Sequence, residues 1–478
     1  MSREVVKGIA MSHHGGQQPG GGGWGRSGGT LPSTRKERLL GAIVLAASVL
    51  ALLTLHEPSP SHSQGVDVFL NATQGGSKKL GIAIPELTRV TPADEGNLSR
   101  VLPEIVGNDL RFSALFSVVA NTSPIQPNAD ALKKALAEFA AAGAHAAMHG
   151  RLAVSGQRAT VDWQLYDLTN PEFRLIATKS FWVEPLRDHR RLAHRISDEI
   201  VYQFTGERGI AETKIAYVAA SQHKELAMMD YDGFNRAQLT ELQSISLSPV
   251  WGPTDSSVAF TSFFKGYPYL FRLYPFNPRR REPELLSAWP GINTAPAWSP
   301  DGRSVAMTLT KDGNPEIYAL RLGTSDFRRL TNNRGIDTDP TWSPTGREIA
   351  FASDRSGTPQ IWVMDAEGAN PRRLTFRGFD TQPRWSPRGD AIVFTRRAGN
   401  GFDLWAIAPD GSNERPLTQN QGSNESAAWA PNGRHVVFSS SRGGRYQLYT
   451  MLPDGSEQQP LTRERGEASS PTWSPRPQ

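Results

Sequence analysis

Residues that could carry chemistry fall into three groups. The first is glycine-rich. Gly20, Gly22 and Gly25 fit G-x-G-x-x-G, a spacing that brings backbone amides to a pyrophosphate. Gly25-Arg26-Ser27-Gly28-Gly29 fits G-x-S-x-G, which places a serine nucleophile on a sharp turn. Both mechanisms need a strand before the motif and a helix after it. Here the motifs lie in residues 13–29, a low-complexity stretch that cannot bury apolar area and should be disordered. They are therefore compositional, and His13-His14 belongs to the same solvated tail. The second group is missing: the chain has no cysteine. That excludes thiol nucleophiles, cysteine-based zinc sites, disulfides and a lipid-modified cysteine. The third group sits in loops of the C-terminal half. Ser353-Asp354-Arg355-Ser356-Gly357, Arg396–Asn400 and Ser441–Arg445 alternate with Gly291-Ile292-Asn293-Thr294, Gly335-Ile336-Asp337-Thr338-Asp339 and Gly378-Phe379-Asp380-Thr381. Asp337, Asp339 and Asp380 could hold a cation, but no metal-ligand spacing accompanies them, and no cofactor is expected. Arginine, amides and apolar tips (Ile292, Ile336, Phe379) around one concavity suit a protein or peptide partner.

A strongly periodic scaffold must position those loops. Trp251, Trp298, Trp342, Trp385, Trp429 and Trp473 recur every 43–47 residues, within WGPTDSSVAF, WSPDGRSVAM, WSPTGREIAF, WSPRGDAIVF, WAPNGRHVVF and WSPRPQ. Each unit reads as four short strands. One ends at the Trp and a tight turn follows it. A second carries an IAF-like run, and a third begins near Leu226, Leu270, Ile317, Ile361, Leu404 or Leu448. A fourth ends at Leu239-Thr240 or its equivalents. Four-stranded units of this length are propeller blades. Six fit residues 211–478. The chain enters at Ile215 in a second strand and leaves at Trp473 in a first strand, so its last strand should close the ring and remove its open edges. The Trp residues should pack between blades. Alternate turns of an antiparallel meander lie on opposite faces: Pro-Asp-Gly-type turns on one, the richer loops listed above on the other.

Upstream, residues 64–210 mix strand and helix patterns, which predicts a small α/β domain. Strands are expected at 66–70, 80–87, 145–154, 161–168 and 173–183. Helices are expected at 97–111, 129–141 (Asn128 or Asp130 as cap) and 187–204. His189 and His194 fall on the polar side of the last helix and read as surface residues. Residues 1–34 form the leader. Within 35–63, Arg35, Lys36 and Arg38 precede an uncharged apolar run from Leu39 to Leu55, the plan of a signal peptide or an uncleaved membrane anchor. Either would put the rest of the chain outside the cytoplasm. Gly (44) and Pro (35) make up about one residue in six, which favours a turn-rich all-β protein. The net charge of +5 is too small and scattered to argue for nucleic acid.

The repeated W-S-P-D-G…I-A-F…S-D-R-x-G…I-W-x-M-D…L-T text resembles the propeller repeat of the TolB family, part of the Tol-Pal system. Gly209–Val218 resembles that family's entry into the propeller, and Asp198-Glu199-Ile200…Thr205-Gly206 the end of its α/β domain. The resemblance covers residues 66–478. It implies a non-enzymatic, monomeric periplasmic protein acting within a complex with other envelope proteins. The peptidoglycan-associated lipoprotein Pal would bind the propeller face through Ile292, Asn293, Thr294, Ala295, Thr338 and Asp339. TolA would bind a tail around Val66, Asp67, Val68, Phe69 and Leu70. The role implied is outer-membrane integrity and cell division. Ile336, Asp337, Arg355, Phe379 and Asp380 join the partner-binding set because their loops share that face. Three features depart from the family pattern: the Gly-rich leader, an apolar Ile292 where the family pattern leads one to expect a polar residue, and Gly252-Pro253-Thr254-Asp255 in place of Ser-Pro-Asp-Gly. The alternative is a propeller-type hydrolase, a peptidase or a lactonase-like enzyme. The first requires a nucleophile elbow, absent from the segment before the propeller, and the second requires convergent acidic ligands.

Overall fold

The computed structural model describes residues 79–119, 125–126, 128–324 and 326–477. The leader, the apolar run and the segment Val66–Leu70 lie outside them. Two layers of helix enclose a mixed sheet in the N-terminal domain. Its strands are β1 (Leu80–Ala83), β2 (Thr88–Arg89), β3 (Phe116–Val119), β4 (Ala146–Ser155), β5 (Arg158–Asp167) and β6 (Arg174–Val183), ordered β3-β1-β4-β5-β6 with β2 beside β4. β1 runs parallel to β3 and β4, and β4–β5–β6 is an antiparallel meander. Helices α1 (Leu98–Phe112) and α3 (His189–Thr205) cover one face, where Leu102, Val106, Leu192, Ile196 and Ile200 meet Ile82, Met148 and Trp163. Helix α2 (Ala129–Ala141) covers the other, with Leu136 and Phe139 against Ala83, Ala147 and Leu168. The alternation Ile82/Ala83 and Ala146/Ala147 is the period of two that lets one strand serve both layers. Asn128 caps α2: its Oδ1 accepts from the Ala131 amide at 2.8 Å.

Six antiparallel four-stranded sheets follow as a propeller. In blade 1 the inner strand is Glu467–Trp473, paired with Lys214–Ala220 so that Trp473 faces Ile215. The inner strands of blades 2–6 are Ser246–Trp251, Asn293–Trp298, Asp337–Trp342, Asp380–Trp385 and Asn424–Trp429. The Trp residues tie neighbouring blades together. The indole N–H groups of Trp298, Trp342 and Trp429 donate to the carbonyls of Val250, Ala297 and Arg384 in the preceding blade. Leu-Thr pairs latch the outer strand in five of the six blades. In five blades (Thr240, Thr331, Thr375, Thr418, Thr462) the hydroxyl accepts from the amide that opens the third strand at 2.8–3.0 Å and donates to the preceding Glu, Gln or Asp side chain.

Every inner strand skips register once. The bulged residues Ser248, Ala295, Asp339, Gln382, Ser426 and Ser470 all take the left-handed conformation, with φ from 49° to 56°. Such bulges bend a strand and re-aim its side chains, and here all six residues line the central channel.

The α/β domain docks on the turn face of blades 1 and 6. Phe112 stacks on His435 in a turn of blade 6, with ring centroids 5.0 Å apart, and Tyr231 in a turn of blade 1 meets the same ring edge-on. Among the described residues no helix is long and apolar enough to cross a membrane.

Candidate partner-binding face

The opposite face carries the second-to-third-strand loops and the blade connections. The residue immediately before the inner strand is Ile245, Ile292, Ile336 and Phe379 in blades 2–5, and Ser423 and Gly466 in blades 6 and 1. The three isoleucines are each 46% exposed and Phe379 is 36% exposed. Four consecutive blades thus present an apolar tip, and two do not. Phe263 and Tyr267 add exposed rings from the blade 2 loop. Exposed apolar side chains gathered on one face of a folded ring mark an interaction surface.

Each tip stands on a buried polar anchor. Asn293, Asp337 and Asp380 are fully buried, and their side chains do not reach the surface. Asn293 accepts from the Ser287 hydroxyl (2.8 Å) and the Trp289 amide, and donates to the Trp289 and Gly291 carbonyls. Asp337 accepts from Arg355 (2.7 Å) and Asn333 (2.6 Å). Asp380 accepts both arms of the Arg396 fork, at 2.7 and 2.8 Å. Arg355 is committed inward, bonded to Asp337 and Ser353 and lying over Phe351 and Trp362. Ala295 is buried at its bulge. Thr294 and Thr338 are half-buried, Thr338 donating to Asp339 at 3.1 Å. The loop backbone is held as well: the Ile292 and Ile336 amides donate to Thr310 and Asp354. The structure therefore separates the expected set. Ile292, Ile336 and Phe379 form the surface, while Asn293, Asp337, Asp380 and Arg355 fix its shape. Ile245, Phe263 and Tyr267 were not singled out in the sequence. Ile245 is legible in retrospect as the residue six before Trp251, the spacing of Ile292 from Trp298.

Two family models divide the chain between them. The TolB amino-terminal domain matches residues 69–172, and the TolB beta propeller domain matches residues 201–477. The chain belongs to the TolB family. It is 36% identical over 255 residues to the Tol-Pal system protein TolB of Paramagnetospirillum magneticum, covering 52% of this chain and 55% of that protein. It is 40% identical over 214 residues to the protein of that name from Geobacter sulfurreducens, covering 43% and 48%. The matched segment thus spans about half the length of these curated relatives. The crystal structure of TolB from Acinetobacter baumannii superposes with a TM-score of 0.72 at 29% identity, covering 84% of this chain and 98% of that one.

In this TolB-family chain one cluster could be mistaken for a metal or catalytic centre. Asp109, His194 and Asp232 converge where the α/β domain meets blade 1. His194 is buried, 3% exposed, which corrects its reading as a surface residue: the polar side of α3 packs against the acidic turn of the propeller. His194 Nδ1 lies 2.8 Å from Asp109 Oδ2, which also accepts from Ser197, and Asp109 Oδ1 accepts from Tyr231. Arg190 binds Asp232, and Lys214 binds Asp230, whose Oδ2 is 3.9 Å from His194 Nε2. Arg190 already serves Asp232, and His194, Ser197 and Tyr231 already serve Asp109, so both carboxylates of the cluster are engaged within the chain. Ser197, His194 and Asp109 are triad residue types wired wrongly for catalysis. The serine and the histidine both bond the same carboxylate, and Ser197 is buried.

Proposed function

We propose that this chain is a non-catalytic periplasmic scaffold of the Tol-Pal system. Its loop face docks the lipoprotein Pal, and a segment around Val66–Asn71 reaches TolA, in support of outer-membrane integrity and cell division. The observation that carries this reading is the run of four apolar tips on consecutive blades, on the face that the α/β domain leaves free. Membership of a family whose relatives are named Tol-Pal system proteins supplies the partner class. A rigid rim with exposed apolar anchors and a polar surround is how a preformed surface gains affinity at low ordering cost. The test is a pulldown of the exported protein from envelope extract. Recovery of Pal that Ile336→Asp abolishes, with the melting temperature unchanged, supports the reading. Recovery unaffected by the substitution, or no envelope lipoprotein at all, counts against it.

A further inference from the structure

The central channel holds two charges where the repeat otherwise places none. The residue before each inner-strand Trp is Val250, Ala297, Thr341, Ala428 and Thr472 in five blades, but Arg384 in blade 5. The bulge residue three before the Trp is Ser248, Ala295, Gln382, Ser426 and Ser470 in five blades, but Asp339 in blade 4. Arg384 and Asp339 are the ionisable side chains among the described lining of a channel of about 410 Å³. That volume falls within the roughly 300–1,000 Å³ of small-molecule sites.

Neither charge is fully answered from within the chain. Arg384 Nη1 donates to the carbonyl of its own neighbour Pro383, at 2.9 Å. Asp339 accepts from the Thr338 hydroxyl and the Gln382 backbone amide. They sit on adjacent blades within each other's field, yet form no ion pair among the described residues. Burial pushes the Asp339 carboxyl above its ordinary range against the Arg384 charge, and pushes the Arg384 guanidinium down against the Asp339 charge. Both side chains are half-buried, so their unpaired polar atoms open onto the channel, where a ligand can meet both charges directly. An arginine where the five sister positions carry valine, alanine or threonine, with donors open to the channel, therefore points to an anionic group that the chain does not supply.

We infer that the channel binds a small zwitterion, an amino acid or short peptide, its carboxylate on the Arg384 fork and its ammonium on Asp339. The guanidinium offers paired donors matched to a carboxylate. Asp339 offers acceptors to a compact ammonium. The Trp-bearing mouth adds an apolar collar, because each Trp is followed two residues later by a proline that lines the channel, from Pro253 to Pro475.

Calorimetric titration of the full chain with glycine, glycylglycine and triglycine tests this, with acetate and methylammonium as single-charge controls. One of the zwitterions should saturate a single site at least tenfold more tightly than either control. Arg384→Gln and Asp339→Asn should each weaken it by a factor of ten or more. Absence of saturation at millimolar ligand overturns the inference. So does acetate binding as tightly as the best zwitterion, which would mean a simple anion hole, or binding that survives Arg384→Gln. Should a variant fold poorly, indole N–H resonances of Trp342 and Trp385 in the unmodified protein give an independent readout. They flank the two charges and should shift on saturation, and their insensitivity to every zwitterion also overturns the inference.

Discussion

On its turn face the propeller meets the α/β domain through buried charge; on its loop face it presents apolar side chains to solvent. The turn face uses Asp109, His194, Asp230, Asp232, Arg190 and Lys214, packed together with few water-facing atoms. The loop face buries two ion pairs one layer down, Asp337–Arg355 and Asp380–Arg396, and leaves Ile292, Ile336 and Phe379 outside. The contrast is physical. A permanent contact can afford charges whose partners never leave. A surface that must bind and release is better served by apolar tips, which need no partner while they wait.

The largest effect should come from removing what both faces share. Deleting residues 467–478 strips the inner strand from blade 1 and leaves Lys214–Ala220 as an open edge. Insoluble protein is expected, and a soluble, cooperatively melting product would break the comparison at its root. Next is Asp109→Ala. It leaves the Tyr231 and Ser197 hydroxyls and His194 without their buried acceptor. The cost should be about 3–5 kcal/mol in denaturant unfolding, with Pal binding by the folded fraction unaltered.

Titration of the junction gives a smaller, signed effect. Burial alone would lower the His194 pKa, but the Asp109 hydrogen bond and charge overcome it and the net shift is upward. Its contribution is therefore fully present below the unfolded value near 6.5 and lost as pH rises through the higher folded value. Burial pushes Asp198 up to about 7, so ionising it costs stability that is avoided on acidification, in the same direction. His435 opposes them. Burial pushes it down to about 4, and stability falls as pH drops from 6.5 toward that value. Melting temperature against pH should thus rise on moderate acidification from alkaline pH. His194→Gln should flatten that limb, and His435→Gln the acid one. Smallest in stability is Ile292→Asp, expected to stay within about 0.5 kcal/mol of the parent while weakening Pal binding at least tenfold. Ser423→Asp, at the equivalent position of blade 6, should change neither. Equal loss from both would dissolve the distinction between the four-blade crescent and the rest of the rim.

The propeller was legible because its signals are local and repeated six times. The Trp, the turn and the Leu-Thr latch each act within a few residues or within one blade. β3 was not legible, being four residues squeezed between a helix and a loop, and stabilised by pairing with β1 far upstream. His194 misled because helical periodicity says which side of α3 is polar, not what that side meets. Asn293, Asp337 and Asp380 misled in the opposite sense. Polar residues in a loop look available, and only the fold reveals that Ser287, Arg355 and Arg396 have already claimed them.

The pairing of Trp473 with Ile215 also sets an order of events. The Lys214 amide finds its partner, the Ser474 hydroxyl, 260 positions later. A chain emerging N-terminus first would therefore hold five complete blades and three strands of the sixth, with a bare edge, until the Glu467–Trp473 segment arrives. Any quality-control factor that recognises unpaired strand edges would have its longest opportunity in that interval, and would lose its grip when the circle snaps shut.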